Sequence, residues 1–411
     1  MSRIEELINE LCPNGVEYKK IGDISNYRRG SFPQPYTNEM FYGGENAMPF
    51  VQVADVKDDF KLVNTTKNTI SKLAQPLSVF VPKGTIIVTL QGTIGRVAIT
   101  QYDAYVDRTL AIFENLSSSL NPKYFSYQLK NKFDYEKQFA RGSTIKTITK
   151  EEMTNFKIPV PPLKVQEEIV RILDKFGELE AELEAELEAR KSQYEFWEDK
   201  LLENVKSETR FLWEVTTWDK KYMSVNSEMQ KNIKKYKYLL ASELEKISLE
   251  NGNVLILETG IGNKIKYTTE QLAGENLCIG EIVAIPWGGT PNVKYYNGKF
   301  VTGDNRIATS NNTKVLLNKY LFYFLKSHIE ELSSFYRGSG IKHPSMLKVL
   351  NMKINIPSLD EQERIVNILD KFDKLVNDIS EGLPAEIEAR RKQYEYYRNK
   401  LLSFEELVVN E

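Results

Sequence analysis

Apolar residues recur every seven positions, in two interleaved series, across 158–202, IPVPPLKVQEEIVRILDKFGELEAELEAELEARKSQYEFWEDKLL. One series is Ile169, Phe176, Leu183 and Trp197; the other is Leu173, Leu187, Tyr194 and Leu201. That spacing predicts a long helix with a coiled-coil seam, entered from a proline-rich extended segment. The pattern returns at 354–402, INIPSLDEQERIVNILDKFDKLVNDISEGLPAEIEARRKQYEYYRNKLL, with Ile365, Leu369, Phe372, Tyr394 and Leu401 on the seam. A single exposed helix of this length would leave its seam in water. The two, about 163–206 and 359–404, are therefore expected to pair antiparallel and bury each other's apolar stripe. Pro384 would remove a backbone hydrogen bond inside the second helix, so a kink or break is expected at about 380–385.

The segments between the helices also repeat. At a constant shift of 196, Gly84–Val88 matches Gly280–Ala284, a buried strand. Gln91-Gly92-Thr93 matches Trp287-Gly288-Gly289, a glycine turn, and Tyr124–Lys130 matches Tyr320–Lys326, a helix. Phe139–Lys146 matches Phe335–Lys342, and the helix starts agree from Gln166 and Gln362 onward. The middles, 31–83 and 222–279, diverge and read as twisted β-rich structure with long loops. The predicted fold is α+β: two pseudo-symmetric mixed α/β domains separated by two long helices. The boundaries are an N-terminal helix at 1–15, domains at 16–160 and 208–357, and helical regions at 161–207 and 358–411. Antiparallel pairing would place the domains at opposite ends of the helices about a pseudo-twofold axis, an arrangement suited to two half-sites of a duplex.

Charge sharpens this picture. The net charge of −2 hides an uneven distribution. Segment 16–157 carries 19 Lys and Arg against 14 Asp and Glu, and segment 208–357 carries 20 against 14. The helices and ends carry 16 against 29. Mildly basic globular parts on acidic helices fit a polyanionic partner. With Cys12 and Cys278 alone, and His328 and His343 alone, neither a disulfide framework nor a Cys/His zinc site is expected. No apolar run is long enough to cross a membrane, so the chain is expected to be cytoplasmic and to bind no metal.

IPVPPLKVQEEIVRILDKF and INIPSLDEQERIVNILDKF each follow an RGS-x-I-K turn. Together with ARKSQYEFW…KLL, ARRKQYEYY…KLL and the opening LCPNGVEYKKIGDI, they resemble the specificity subunits of Type I restriction–modification enzymes. The resemblance runs over essentially the whole chain. It implies that each globular domain is a target recognition domain reading one half of a bipartite DNA site. Because the middles differ, the site is expected to be asymmetric. It also implies that the helices dock two methyltransferase subunits, which use S-adenosylmethionine, and that motor–nuclease subunits using ATP with Mg2+ complete the restriction complex.

Candidate DNA contacts follow from residue type. Arg28, Arg29, Lys220 and Lys221 fall on basic loops at the entry to each domain, where they could meet phosphates or bases or simply be solvated. Gln91 could read adenine, and Trp287 could stack on a base or belong to the core. Arg96, Arg108, Lys294 and Arg306 follow the glycine turns and are candidates of the same kind. Arg141 and Lys146, with Arg337 and Lys342, lie in the turn common to both halves. They could therefore touch phosphate or lock the domain to its helix, but could not carry half-site specificity.

The tandem run LEAELEAELEAR at 179–190 reads as a solvated acidic helix and also as a ruler for the spacer between half-sites. Asn121-Pro122-Lys123-Tyr124 reads as a helix start and not as a methyltransferase element, since it lacks a second proline and a glycine-rich cofactor loop. No phosphate loop is present. A catalytic role is therefore not expected for this chain. The competing reading is a duplicated coiled-coil adaptor that assembles a protein complex without reading DNA sequence.

Overall fold

Short β-branched and aromatic runs, punctuated by Gly, Pro and Asn, fold here as short strands, because each run ends before a helix could repeat its turn. The computed structural model describes residues 3–139, 150–203, 207–260, 265–378 and 381–407. The chain divides into two units, residues 1–184 with 387–411, and residues 185–386.

The first unit holds β1 (Tyr18–Lys20), β2 (Asn26–Arg29), β3 (Met48–Val51), β4 (Asn68–Ile70), β5 (Val79–Val81), β6 (Ile86–Thr89), β7 (Val97–Ile99), β8 (Ala104–Val106), β9 (Leu110–Glu114) and β10 (Lys157–Pro159). They form two four-stranded sheets, β2-β9-β6-β7 and β4-β3-β8-β5, and a β1–β10 pair. The second unit holds β11 (Glu208–Phe211), β12 (Thr216–Trp218), β13 (Val254–Leu257), β14 (Tyr267–Thr268), β15 (Cys278–Pro286), β16 (Lys294–Thr302), β17 (Asn305–Ser310), β18 (Tyr336–Arg337), β19 (His343–Pro344) and β20 (Lys353–Ile356). Its main sheet runs β12-β17-β15-β16-β13-β14. This is the same plan with the two sheets fused. β15 and β16 are continuous through places where the first unit breaks, between β5 and β6 and between β7 and β8. The parallel pair also recurs, β3 with β8 and β13 with β16. The divergent middles thus share a strand plan that their sequences conceal.

A helix follows the sheet in each unit, Pro122–Phe139 and Asn318–Ser327. The Asn121 side chain accepts from the Lys123 and Tyr124 amides at 2.9 and 3.1 Å, capping the first of them. A buried glutamine then joins sheet, loop and long helix in both units. Gln166 Oε1 accepts from the Asn121 amide at 2.8 Å, and Nε2 donates to the Ser119 and Pro161 carbonyls at 2.8 and 2.7 Å. Gln362 repeats all three bonds with Leu317, Val315 and Pro357, at 2.9, 2.8 and 2.9 Å. Both side chains are fully buried. The phenols repeat too: Tyr127 donates to Asp174 and Tyr323 to Asp370, at 2.6 and 2.5 Å.

The central helix spans Leu163–Glu203. Within the first unit its early part packs antiparallel to the end of the distal helix. Ile169 and Leu173 share a core with Leu401, while half-buried Phe176 lies 6.2 Å from the Tyr394 ring and 5.6 Å from that of Tyr397. Arg391 donates to Glu180 and Glu184 at 2.6 and 2.5 Å. Within the second unit the later part packs antiparallel to the distal helix's start. Leu187 and Leu201 share a core with Ile365 and Leu369, and Tyr194 lies 6.2 Å from Phe372. Leu183 is half-buried.

One seam residue departs from expectation. Trp197 is 40% exposed, and Glu198 points inward instead, accepting from the Tyr194 hydroxyl at 3.0 Å. A straight helix drifts about 20° per heptad, so a strict seven-residue count slips off the buried stripe by this point. The equivalent position in the second copy is Arg398, which pairs with Asp134 at 3.3 Å.

The distal helix is broken as its sequence predicts, into Leu359–Asn377 and Leu383–Leu402. Pro384 sits in the first turn of the second piece, where its missing N–H is harmless. Gly382 is pressed against the end of the first piece: a Cβ there would lie 2.4 Å from the Lys374 carbonyl oxygen.

Candidate nucleic-acid interface

In the first unit three candidates converge at one end of the β2-β9-β6-β7 sheet. Leu90 donates to the Thr109 carbonyl at 2.8 Å and Gly30 to that of Leu110 at 3.2 Å. These bonds bring the segments carrying Arg29, Gln91 and Arg108 side by side, and all three side chains are exposed. Gly30 is required for this approach, because a Cβ would lie 2.1 Å from the Val106 carbonyl oxygen. The Arg108 guanidinium lies 5.3 Å over the Tyr36 ring. Tyr36 donates to Asp107 at 2.6 Å and stacks on Phe32 at 5.0 Å.

Other candidates in this unit are committed internally. Arg28 pairs with Glu114 at 2.9 Å. Arg96 pairs with Asp58 at 3.2 Å and reaches the Val56 carbonyl at 3.3 Å. Arg28 and Arg29 lie on strand β2 and not on a loop. Arg141 and Lys146 fall outside the described residues.

In the second unit the glycine turn meets the hairpin formed by β18 and β19. The Gly289 amide donates to the Lys342 carbonyl at 3.1 Å, and His343 Nδ1 lies 2.7 Å from the Trp287 carbonyl oxygen. Lys221, Arg337 and Lys342 are exposed here, and Lys220 is half-buried with its ammonium 5.1 Å over the Trp287 ring. Trp287 itself is half-buried. It is packed between Lys220, the His343 ring at 5.1 Å and the Arg306 guanidinium at 4.8 Å, so it holds the turn and does not stand free as a stacking platform.

Arg306 cannot touch a ligand. It is 1% exposed and pairs with Asp219 at 2.9 Å and with Asp304. Asp219 also accepts from the Tyr222 hydroxyl at 2.9 Å and the Ile307 amide at 3.1 Å. Strand pairing also corrects the alignment of the basic entries. Arg29 opposes Ala111, and the residue facing Ile307, the counterpart of Ala111, is Asp219. Lys220 and Lys221 therefore lie one and two residues beyond the counterpart of Arg29. Similarly, Asp304 stands where the first unit has Arg108.

Lys294 is turned inward. Its ammonium donates to the Gly260 carbonyl at 2.6 Å and to that of Glu258. Burial pushes its pKa down to about 8. The unfolded lysine, near 10.5, binds its proton more tightly, so the charged form opposes folding below about 8. That opposition fades as pH rises from about 8 towards 10.5. Lys294→Met is expected to remove this rise in stability. Thermal melts of both proteins between pH 7 and 10.5 measure it, and parallel curves would contradict it.

Sequence reasoning missed Tyr36 and Asp107, which orient Arg108. The only trace was an aromatic run, Phe32, Tyr36, Phe41 and Tyr42, inside the divergent middle. Among the described residues no group of three or more His, Cys, Asp or Glu side chains could hold a metal ion, and no helix is long and apolar enough to cross a membrane.

The family model for the Type I restriction modification DNA specificity domain matches residues 13–189 and again 204–389. The Type I restriction enzyme EcoR124I/EcoR124II specificity subunit of Escherichia coli is 31% identical over 262 residues, covering 60% of this chain and 63% of that protein. The Escherichia coli EcoprrI specificity subunit is 25% identical over 400 residues, covering 93% of this chain and 92% of that one. The crystal structure of the Type I restriction–modification S subunit from M. genitalium superposes with a TM-score of 0.56 at 17% identity, over 94% of this chain and 96% of that chain. The chain belongs to the Type I restriction modification DNA specificity family and carries two copies of its domain.

Proposed function

We propose that this chain is the sequence-reading, non-catalytic subunit of a Type I restriction–modification complex. Each globular domain reads one half of an asymmetric bipartite DNA site. One observation carries this reading: a single domain plan occurs twice, with a shared frame and with different side chains at equivalent positions, exposed arginines in the first domain and ion-paired aspartates in the second. Arg29 and Arg108 stand in the first domain where the second has Asp219 and Asp304. Two readers built on one frame but bearing different contacts are what a non-palindromic site requires. Exposed Arg29, Gln91 and Arg108 make the first contact surface; Lys220, Lys221, Arg337 and Lys342 make the second.

The partners are two methyltransferase subunits docked on the helices, which supply S-adenosylmethionine chemistry on adenine, and motor–nuclease subunits using ATP with Mg2+. The setting is the cytoplasm. The deciding experiment is methylome sequencing of a host lacking other methyltransferases, expressing the chain with its modification subunit. A split, asymmetric motif that disappears without this chain supports the reading. A motif that persists without it leaves the adaptor role, as does equal binding to all duplexes in competition.

The acidic run of the central helix sets the spacer between the half-sites. Each four-residue unit adds about 6 Å at about 1.5 Å per residue, comparable with one or two base-pair steps of about 3.4 Å. Deleting Leu179–Glu182 is expected to shorten the preferred spacer by one or two base pairs; methylation mapping that finds the original spacer would contradict the ruler.

A further inference from the structure

The two domains differ most sharply where their frames coincide. At the position before β9 the first domain carries Arg108, exposed and with no ion-pair partner among the described residues. At the equivalent position before β17 the second carries Asp304, tied to the buried Arg306. Arg108 is also held. Its guanidinium lies 5.3 Å over Tyr36, whose hydroxyl donates to Asp107 at 2.6 Å and whose ring stacks on Phe32. Asp107 is fixed in turn by the Thr109 hydroxyl and amide, at 2.6 and 2.9 Å. A phosphate contact needs charge but little orientation. A fork fixed on an aromatic face suits planar, two-bond recognition of a base edge. Tyr36 and Phe32 belong to the middle segment that differs between the domains, as a specificity element should.

We propose that Arg108 reads a guanine in the half-site of the first domain through two hydrogen bonds in the major groove, with Tyr36 as its positioning residue. This rests on the DNA-reading role proposed above. The second domain has no counterpart of this contact, so its half-site is read by other groups.

The test is methylation mapping with the chain assembled with its modification subunit, comparing wild type, Arg108→Ala, Arg108→Lys and Tyr36→Phe. Arg108→Ala is expected to relax one guanine position of one half-site, lowering discrimination there about tenfold to a hundredfold. The other half-site stays unchanged. Arg108→Lys keeps the charge but not the fork and is expected to relax the same position, and it serves if the alanine variant fails to fold. Tyr36→Phe keeps the ring but frees it from Asp107; partial relaxation at that same position, with an unchanged melting temperature, marks positioning. A uniform loss of affinity over all sequences, with the salt slope falling by about one, would mean a phosphate contact and overturn the assignment. So would an unchanged motif, or a wild-type half-site without a G·C pair. A wild-type chain that yields no bipartite motif would instead overturn the DNA-reading role itself.

Discussion

Arg306→Met is expected to destabilise the second unit by about 3–5 kcal/mol, because it removes the cation that pairs with the buried Asp219 carboxylate, the only such partner of Asp219 among the described residues. Asp219 would be left charged among the Tyr222 hydroxyl, the Ile307 amide and the surrounding core, and Asp304 would lose its partner. The first unit has leucine at the equivalent position, Leu110, and no such pair, so its unfolding should be unaffected. Denaturant unfolding followed in each unit would show one transition displaced and the other not. Combining Arg306→Met with Asp219→Leu is expected to recover most of the loss, since replacing a whole buried pair by apolar groups is often close to neutral. A single variant as stable as wild type would show that the pair does not hold the β12–β17 edge. In methylation mapping, the half-site of the second domain should be the one that weakens.

Gln166→Leu and Gln362→Leu are expected to cost about 3 kcal/mol or more each. Leucine fills a similar volume, but one buried carbonyl and two part-buried backbone groups lose their partners in either unit, at about 1–3 kcal/mol for the buried group and less for the others. The affected groups are the Asn121 amide with the Ser119 and Pro161 carbonyls, or the Leu317 amide with those of Val315 and Pro357. The matched geometry predicts matched losses in the two units. Gln→Glu at either site sets a buried carboxylate against two carbonyl oxygens at neutral pH, and is expected to cost at least as much as leucine. Melting curves within about 0.5 kcal/mol of wild type would show that the glutamines are not the joints between domain and helix. Because these joints are common to both halves, their loss should weaken methylation without changing which bases are read.

The sequence alone determined the duplication, the two long helices, the break of the second near Pro384, the acidic run and the family. Each of these is written in local periodicity or in residue type, and neither depends on what lies across the fold. The matching helix starts after Gln166 and Gln362 were visible for the same reason, although the three hydrogen bonds that explain them were not. What only the tertiary structure decided was the fate of individual charges. Arg306 and Arg108 look alike in sequence, each an arginine between the glycine turn and the helix that follows it. Asp219, 87 positions away in the chain, draws the first into the core, while Tyr36, drawn from the divergent middle, holds the second at the surface. Trp197 left the seam because a straight helix turns every 3.6 residues and not every 3.5, a slip that grows too slowly to read from one heptad. The strand frame common to β3 and β13 was hidden because a strand needs only alternation and a partner, and many sequences satisfy both. Helical seams are legible from sequence because neighbours four residues apart make them. A binding surface is not, because burial and ion pairing between distant segments decide which of its charges remain free.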